Sequence, residues 1–243
     1  MTFNKFLSLN YFLLKIWRYN KVLLDTTLSN KVLLENNLSA NNGCYEFLTK
    51  AVKEAYHPEA PDSNLFKPTS VIALFTPEEE TGLILIQKAD IEGYPWRNQM
   101  AFPGGNCEPE DLNRETTALR ELREEMGIPS EEVHLIGSIG HFQTINSKDI
   151  EAFLGIWKKT GDIDSNLSNI VFDKSEIARV FKIPLKHLIG VHKSKNFIGR
   201  LPNLYELTYP YQDVVIWGVT AKIIHHLMEI IMPNINLDCH FVE

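Results

Sequence analysis

Gly105–Ile128, reading GNCEPEDLNRETTALRELREEMGI, is the stretch from which the rest of the chain is best read. Its seven acids (Glu108, Glu110, Asp111, Glu115, Glu121, Glu124, Glu125) face three bases (Arg114, Arg120, Arg123), a local balance of −4 in a protein of net charge −7. At about 100° per residue, the run Thr116–Met126 forms a helix with Leu119, Leu122 and Met126 on one side and Glu121, Glu124 and Glu125 gathered on another. Crowded carboxylates repel one another, and a cation or a buried base offsets that repulsion. Hard oxygen donors select Mg²⁺ or Mn²⁺, which keep waters and take substrate phosphates in their remaining positions. By charge alone the pattern equally suits a solvated helix face held by i,i+4 pairs such as Arg120–Glu124.

Upstream of this helix, Ser70–Phe75 and Leu83–Gln87 are apolar, β-rich runs joined by Thr76–Gly82 and read as paired strands, and Gln99–Phe102 reads as a third strand stopped by Pro103-Gly104-Gly105. A glycine pair after a strand makes a tight turn. Ahead of an acidic helix it also lets substrate phosphates approach the backbone. Downstream, His134–Ile139 and Glu151–Lys158 read as strands and Ile216–Ile231 as a long terminal helix, with Trp217, Ala221, Ile224 and Met228 facing the core. Glu46–Tyr56 reads as a short helix, and the run His57–Pro68, with Pro58, Pro61 and Pro68, as a linker loop. Strands alternating with helices in about 200 residues predict a sheet covered by helices in one domain.

The length of 243 residues, with 44% hydrophobic and 23% charged content, excludes collagen-like, low-complexity and wholly disordered classes. The acidic balance lacks the basic footprint of a nucleic-acid binder. Cys44, Cys107 and Cys239 form no C-x-x-C pair, so neither a zinc nor a redox motif is expected and a reducing cytoplasm is the default compartment. No stretch reaches the roughly 18 apolar residues of a membrane span. Asn20–Ser29 (NKVLLDTTLS) and Asn30–Ser39 (NKVLLENNLS) match at seven of ten positions, too short a duplication to build a solenoid. With the Ser, Asn and Gly cluster of Ser39–Gly43 as a boundary, residues 1–40 form an N-terminal extension, expected to be dispensable, and residues 41–243 the domain. Nothing in the chain specifies an oligomeric state.

The order Arg120-Glu121-Leu122-Arg123-Glu124-Glu125-Met126-Gly127-Ile128 resembles the R-E-hydrophobic-x-E-E-x-G-hydrophobic half of the signature of Nudix hydrolases, and Gly104-Gly105 resembles its glycine start. The resemblance implies an α/β (α+β) fold, an α/β/α sandwich with a mixed sheet between helices. It implies divalent-metal ligation by Glu121, Glu124 and Glu125, with Arg120 bracing them. Fourteen residues separate Gly105 from Arg120 where the usual pattern has thirteen, so Asp111 is taken as the first acid with a one-residue bulge behind it. Phe102-Pro103-Gly104-Gly105, Thr117-Ala118-Leu119-Arg120-Glu121 and Trp217-Gly218-Val219-Thr220-Ala221 resemble segments of the coenzyme A pyrophosphatase-like branch. That branch's arginine, histidine and glycine before F-P-G-G are replaced here, and Asn106 stands where a basic residue is common. Glu176–Leu185 resembles a further segment of that branch.

The implied activity is cleavage, by metal-activated water, of the diphosphate in a nucleoside diphosphate conjugate. Coenzyme A or an acyl derivative is favoured, ahead of NADH, ADP-ribose and nucleoside triphosphates. A nucleotide-sensing module without catalysis is the rival from another class. Gly104, Gly105, Arg97 and Lys88 are the candidate substrate-binding residues, with Trp96 beside them and Glu151 and Glu176 as acids that the fold may return to the site. Adjacent His225 and His226 point in different directions on a helix and suit structural roles. Cys107 has no activating neighbour in sequence.

Overall fold

The computed structural model describes residues 40–62, 65–76, 80–93, 96–158, 167 and 170–234. The leader, the decamer repeat and Cys239 lie outside the described residues. The chain divides into Met1–Asn42 and Gly43–Glu243, and the second unit holds the whole sheet.

Nine strands and four helices of the described residues build the domain: α1 (Ala40–Glu54), β1 (Lys67–Thr76), β2 (Gly82–Lys88), β3 (Met100–Ala101), β4 (Gly104–Asn106), α2 (Arg114–Met126), β5 (Val133–Gln143), β6 (Lys148–Trp157), β7 (Ile177–Pro184), α3 (Leu185–Ser194), β8 (Tyr209–Tyr211), β9 (Val214–Ile216) and α4 (Gly218–Ile231). Seven strands form one mixed sheet, in which β1 runs parallel to β6 and every other pairing is antiparallel. β1 is central and buried along eight of its ten residues. Its Val71, Ala73 and Phe75 join the cluster covered by α1, α3 and α4, while Ile72 and Leu74 join the cluster covered by α2 through Ala118, Leu122 and Met126. A continuous apolar run is what a strand sandwiched on both faces requires, and the sandwich is the α/β/α arrangement expected.

Two strand pairings position the site. β1 meets β2 only through Leu74–Thr76 and turns its first half, Thr69–Val71, to β4, while β2 turns Ile86 and Gln87 to β3. The short β3–β4 segment is thus wedged between two splayed strands, and the Ile72 N–H donates to the Pro103 carbonyl between them (2.9 Å). Gly104 sits at φ +146, and a Cβ there would lie 2.2 Å from the Ser70 carbonyl oxygen, so only glycine fits the wedge.

Several expectations are corrected. Pro68 belongs to β1 rather than to the preceding loop; it is the second residue of the strand, where a missing donor is tolerated. The loop from His57 is docked rather than free, since the Pro58 carbonyl accepts from the His141 N–H (2.9 Å). α1 begins at Ala40, within the Ser39–Gly43 cluster, and the division between the two units falls at Asn42–Gly43. The terminal helix begins at Gly218, with Ile216 in β9; Trp217 is extended, 52% exposed and outside the core, whereas Ala221, Ile224 and Met228 are fully buried.

Candidate active site

α2 is fixed at both ends by its own sequence. The Asn113 side chain accepts from the Thr116 N–H (2.9 Å), the Thr116 hydroxyl accepts from the Asn113 N–H (3.1 Å), and Gly127 closes the helix at φ +64 with its N–H on the Arg123 carbonyl. The acids it displays are organised by Arg120. Its Nε and Nη2 grip the two oxygens of Asp111 (3.0 Å each), and Nη1 donates to Glu121 Oε1 (3.0 Å) and Glu124 Oε2 (2.9 Å). Nη2 also reaches back to the Asn106 carbonyl (3.1 Å). The guanidinium therefore braces two of the motif glutamates and staples helix to glycine loop. Asp111, also bonded by the Glu108 N–H and the Thr117 hydroxyl, is held well below the usual carboxylate range, chiefly by Arg120.

Glu121 and Glu125 sit differently. The Glu121 carboxylate lies against the backbone of Gly105, where a Cβ would come within 2.3 Å of Oε1; this close approach is why the loop needs its second glycine. Glu125 is 4% exposed and does not share the solvated face with Glu124. The helix is not cleanly divided into core and acid sides, because the position before Met126 falls on the seam between the helix and the β3–β4 segment. There Lys88 Nζ and the Gly104 N–H (3.0 Å) hold the two carboxylate oxygens. Burial raises the pKa of Glu121, with Glu125 and Glu124 adding repulsion against the pull of Arg120. Burial likewise raises that of Glu125, against Lys88.

Of the acids outside the motif, exposed Glu176 adds to the repulsion on Glu125. Glu151 lies beside Arg114 (3.8 Å) and His141 (3.8 Å), in a network where Asp149 accepts from Arg114 (2.7 Å) and Gln143 (3.0 Å) and is bonded to His141 (2.9 Å). Arg97 is exposed and paired with Asp90 (3.3 Å). Asn98, in the turn before β3, adopts φ +59, a left-handed conformation that asparagine tolerates. Cys107 is a free thiol whose sulfur lies 3.9 Å from the Ser70 hydroxyl.

A group that the sequence gives no reason to single out also reaches this end of the sheet. Lys148, at the start of β6, stands opposite Lys67 in the parallel pair and carries its ammonium 4.6 Å from the centre of the Trp96 ring. Burial, Lys88 and Lys67 push its pKa down, while Glu121 pulls it up.

Arg120 and Lys88 hold the three glutamates apart, and the three do not bring their oxygens within 4.8 Å of one another. Among the described residues only His192, His225 and Glu229 do that. The donor set at α2 nevertheless fits a hard divalent ion: all-oxygen, crowded, and partly desolvated so that added positive charge stabilises it.

The His192 group lies on the opposite face and is closed. His192 bridges the Tyr209 hydroxyl (2.8 Å) and Glu229 Oε1 (2.9 Å), the Gly199 N–H occupies Glu229 Oε2 (2.9 Å), and His225 Nε2 donates to the Arg200 carbonyl (2.8 Å). His225 therefore bonds the backbone, as a structural role requires, and His226 faces His57 instead (3.4 Å).

A family model described as the NUDIX domain matches residues 66–201. NudL of Yersinia pestis (strain Pestoides F), an uncharacterized Nudix hydrolase, is 30% identical over 152 residues, spanning 62% of this chain and 72% of the relative. Among solved structures, the NUDIX domain of Shewanella oneidensis NrtR complexed with ADP ribose aligns at a TM-score of 0.42 and 15% identity, over 74% of this chain and 96% of that one. A C. elegans Ap4A hydrolase aligns at 0.40 and 16%, over 51% and 83%. No helix of the described residues is long and apolar enough to cross a membrane.

Proposed function

The chain belongs to the Nudix family and is a hydrolase of diphosphate bonds; from that premise we propose that it acts on coenzyme A or an acyl-coenzyme A, using Glu121, Glu124 and Glu125 as the ligands of Mg²⁺ or Mn²⁺. The observation that carries the catalytic reading is the lodging of Glu121 against Gly105 with Glu125 beside it, tied to the Gly104 N–H. Two of the motif acids thereby meet the glycine loop at one point.

A bound divalent ion supplies a Lewis acid for the phosphate oxygens and a water of lowered pKa. The protein's own groups do the rest. Arg120 fixes the directions of Glu121 and Glu124, Gly104 and Gly105 let the loop close on Ser70 and on Glu121, and one carboxylate of the trio accepts the proton of the attacking water. No covalent intermediate is required. Lys88, beside Glu125, and Arg97, in the turn before β3, are the cations proposed to meet the substrate's phosphates.

The preference for coenzyme A rests on the three branch segments. The buried Thr220 hydroxyl of the W-G-x-T-A helix donates to the Met100 carbonyl (3.0 Å), two residues before Phe102 of F-P-G-G, which keeps the two segments near each other. The test is incubation of the full chain and Mg²⁺ or Mn²⁺ with coenzyme A, dephospho-coenzyme A, NADH, ADP-ribose, diadenosine polyphosphates and nucleoside triphosphates, with product analysis. Fastest cleavage of coenzyme A or its acyl derivative supports the assignment. Faster cleavage of another compound moves the substrate, and binding without any cleavage moves the protein to the sensing class.

A further inference from the structure

We infer that Lys148, together with Lys67 and Lys88, forms a phosphate-gripping wall beside the acid face of α2, and that the Trp96 ring positions the Lys148 ammonium within it. This rests on the reading of the site as a diphosphate hydrolase and adds residues that no motif marks.

Three ammonium groups come from three strands. Lys67 opens β1, Lys148 opens β6 directly opposite it in the parallel register, and Lys88 closes β2 with its Nζ on Glu125. In a chain of net charge −7, like charges gathered from positions 67, 88 and 148 are not a consequence of composition. Lys88 is bonded to Glu125, and Lys148 stands within the fields of Lys88, Lys67 and Glu121, so a substrate diphosphate drawn to the acid helix meets these ammonium groups.

Lys148 is the sharpest member. It is partly buried, feels the fields of Lys88, Lys67 and Glu121, and is stacked on Trp96 rather than paired with a described carboxylate. A desolvated ammonium repelled by two neighbours and held by an aromatic face is placed for an incoming anion: its donors are uncommitted to an acid, and the ring limits where the flexible stem can carry them. Lys148 is a binding residue in this scheme and Trp96 a positioning residue.

The test uses the full chain and inorganic pyrophosphate as the probe, by calorimetric titration with and without Mg²⁺, alongside steady-state kinetics on the best substrate of the panel. Lys148→Met should weaken pyrophosphate binding about tenfold or more, the order expected for one charge-assisted contact. It should raise KM with a much smaller change in kcat. Lys148→Arg should restore most of the binding, and Trp96→Leu should weaken it by about threefold, since the ring positions rather than contacts. Thermal unfolding should be unchanged in Lys148→Met; if that variant is poorly folded, Lys148→Gln carries the same test. Unaltered affinity in Lys148→Met, or no pyrophosphate binding by the wild type, overturns the inference. So does a loss that Arg fails to rescue and that tracks a lower melting temperature. Lys148-dependent pyrophosphate binding in a protein that cleaves nothing in the panel would overturn the proposed activity and leave this inference standing.

Discussion

The two faces of the sheet each carry a polar cluster built around one central cation or imidazole, and the two are finished differently. On the α3–α4 face, His192 is fully buried and every partner is matched: Tyr209 and Glu229 on its two nitrogens, the Gly199 N–H on the far oxygen of Glu229, and the Arg200 carbonyl on His225. On the α2 face, Arg120 is also saturated, yet burial penalises the charge of Glu121 beside it and of Glu125 on Lys88, both raised, and of Lys148, lowered. A closed network holds helices together, whereas a network with unrelieved charge is poised for a ligand. The contrast separates structure from function more cleanly than residue type does, because the tightest trio of metal-type donors lies on the structural face.

Glu124→Gln tests the division most severely. Glu124 is exposed and bonded only to Arg120 among the described contacts, so its neutralisation should leave folding within about 0.5 kcal/mol. As a proposed metal ligand its loss should lower kcat by about a thousandfold, or about 4 kcal/mol of barrier. Full activity with Mg²⁺ would remove the trio from the mechanism. His192→Ala should do the reverse. Stranding Glu229 and Tyr209 and opening a cavity should cost about 3 kcal/mol, seen as a melting temperature lowered by roughly 6 to 12 °C, with kcat of the folded fraction unchanged. A fall in kcat at constant stability would erase the distinction between the faces.

Arg97→Ala refines the active face. If Arg97 meets the 3′-phosphate, KM for coenzyme A should rise about tenfold and KM for dephospho-coenzyme A much less. Equal losses on both would exclude Arg97 from that role. A pH slope on the closed face gives a test that touches no proposed ligand. Burial, with His57 and His225 nearby, pushes the pKa of His226 down to about 3, so His226 is neutral in the folded protein and takes up a proton on unfolding below about 6.5. Its contribution to stability is therefore complete above about 6.5 and is lost as pH falls toward 3. The melting temperature should decline over that window, and His226→Gln should flatten the decline.

Legibility in the sequence tracks the strength of local patterning. β1, β2 and α2 announce themselves through an apolar run or a helical period, and Arg120 as a brace follows from the family resemblance of the motif. β4 is three residues, two of them glycine, and exists only because β1 and β2 splay; no periodicity encodes that. β8 and β9 are equally short. Trp217 looked apolar and in phase with the helix, but it precedes the helix and points out. Glu125 looked like its neighbour Glu124, and only the wedge shows that one enters a seam. Lys67 and Lys148 meet through a parallel register between strands far apart in sequence, a relation that local reading does not contain. Residues 1–40 as an extension, and 41–243 as the domain, stand as a proposal that deletion of residues 1–39 would test.

The fastening of Arg120 to the Asn106 carbonyl and to Asp111 has a consequence for how far related chains can diverge. A segment pinned at both ends by the same guanidinium is a closed loop, and its length hardly enters its free energy: by the logarithmic cost of ring closure, one added residue among fourteen costs under about 0.1 kcal/mol. Insertion there leaves the anchoring points where they were. The number of residues between glycine and arginine is thus a weak constraint on descent, and the tether itself, a backbone oxygen and an acid within reach of one arginine, is the quantity that has to persist.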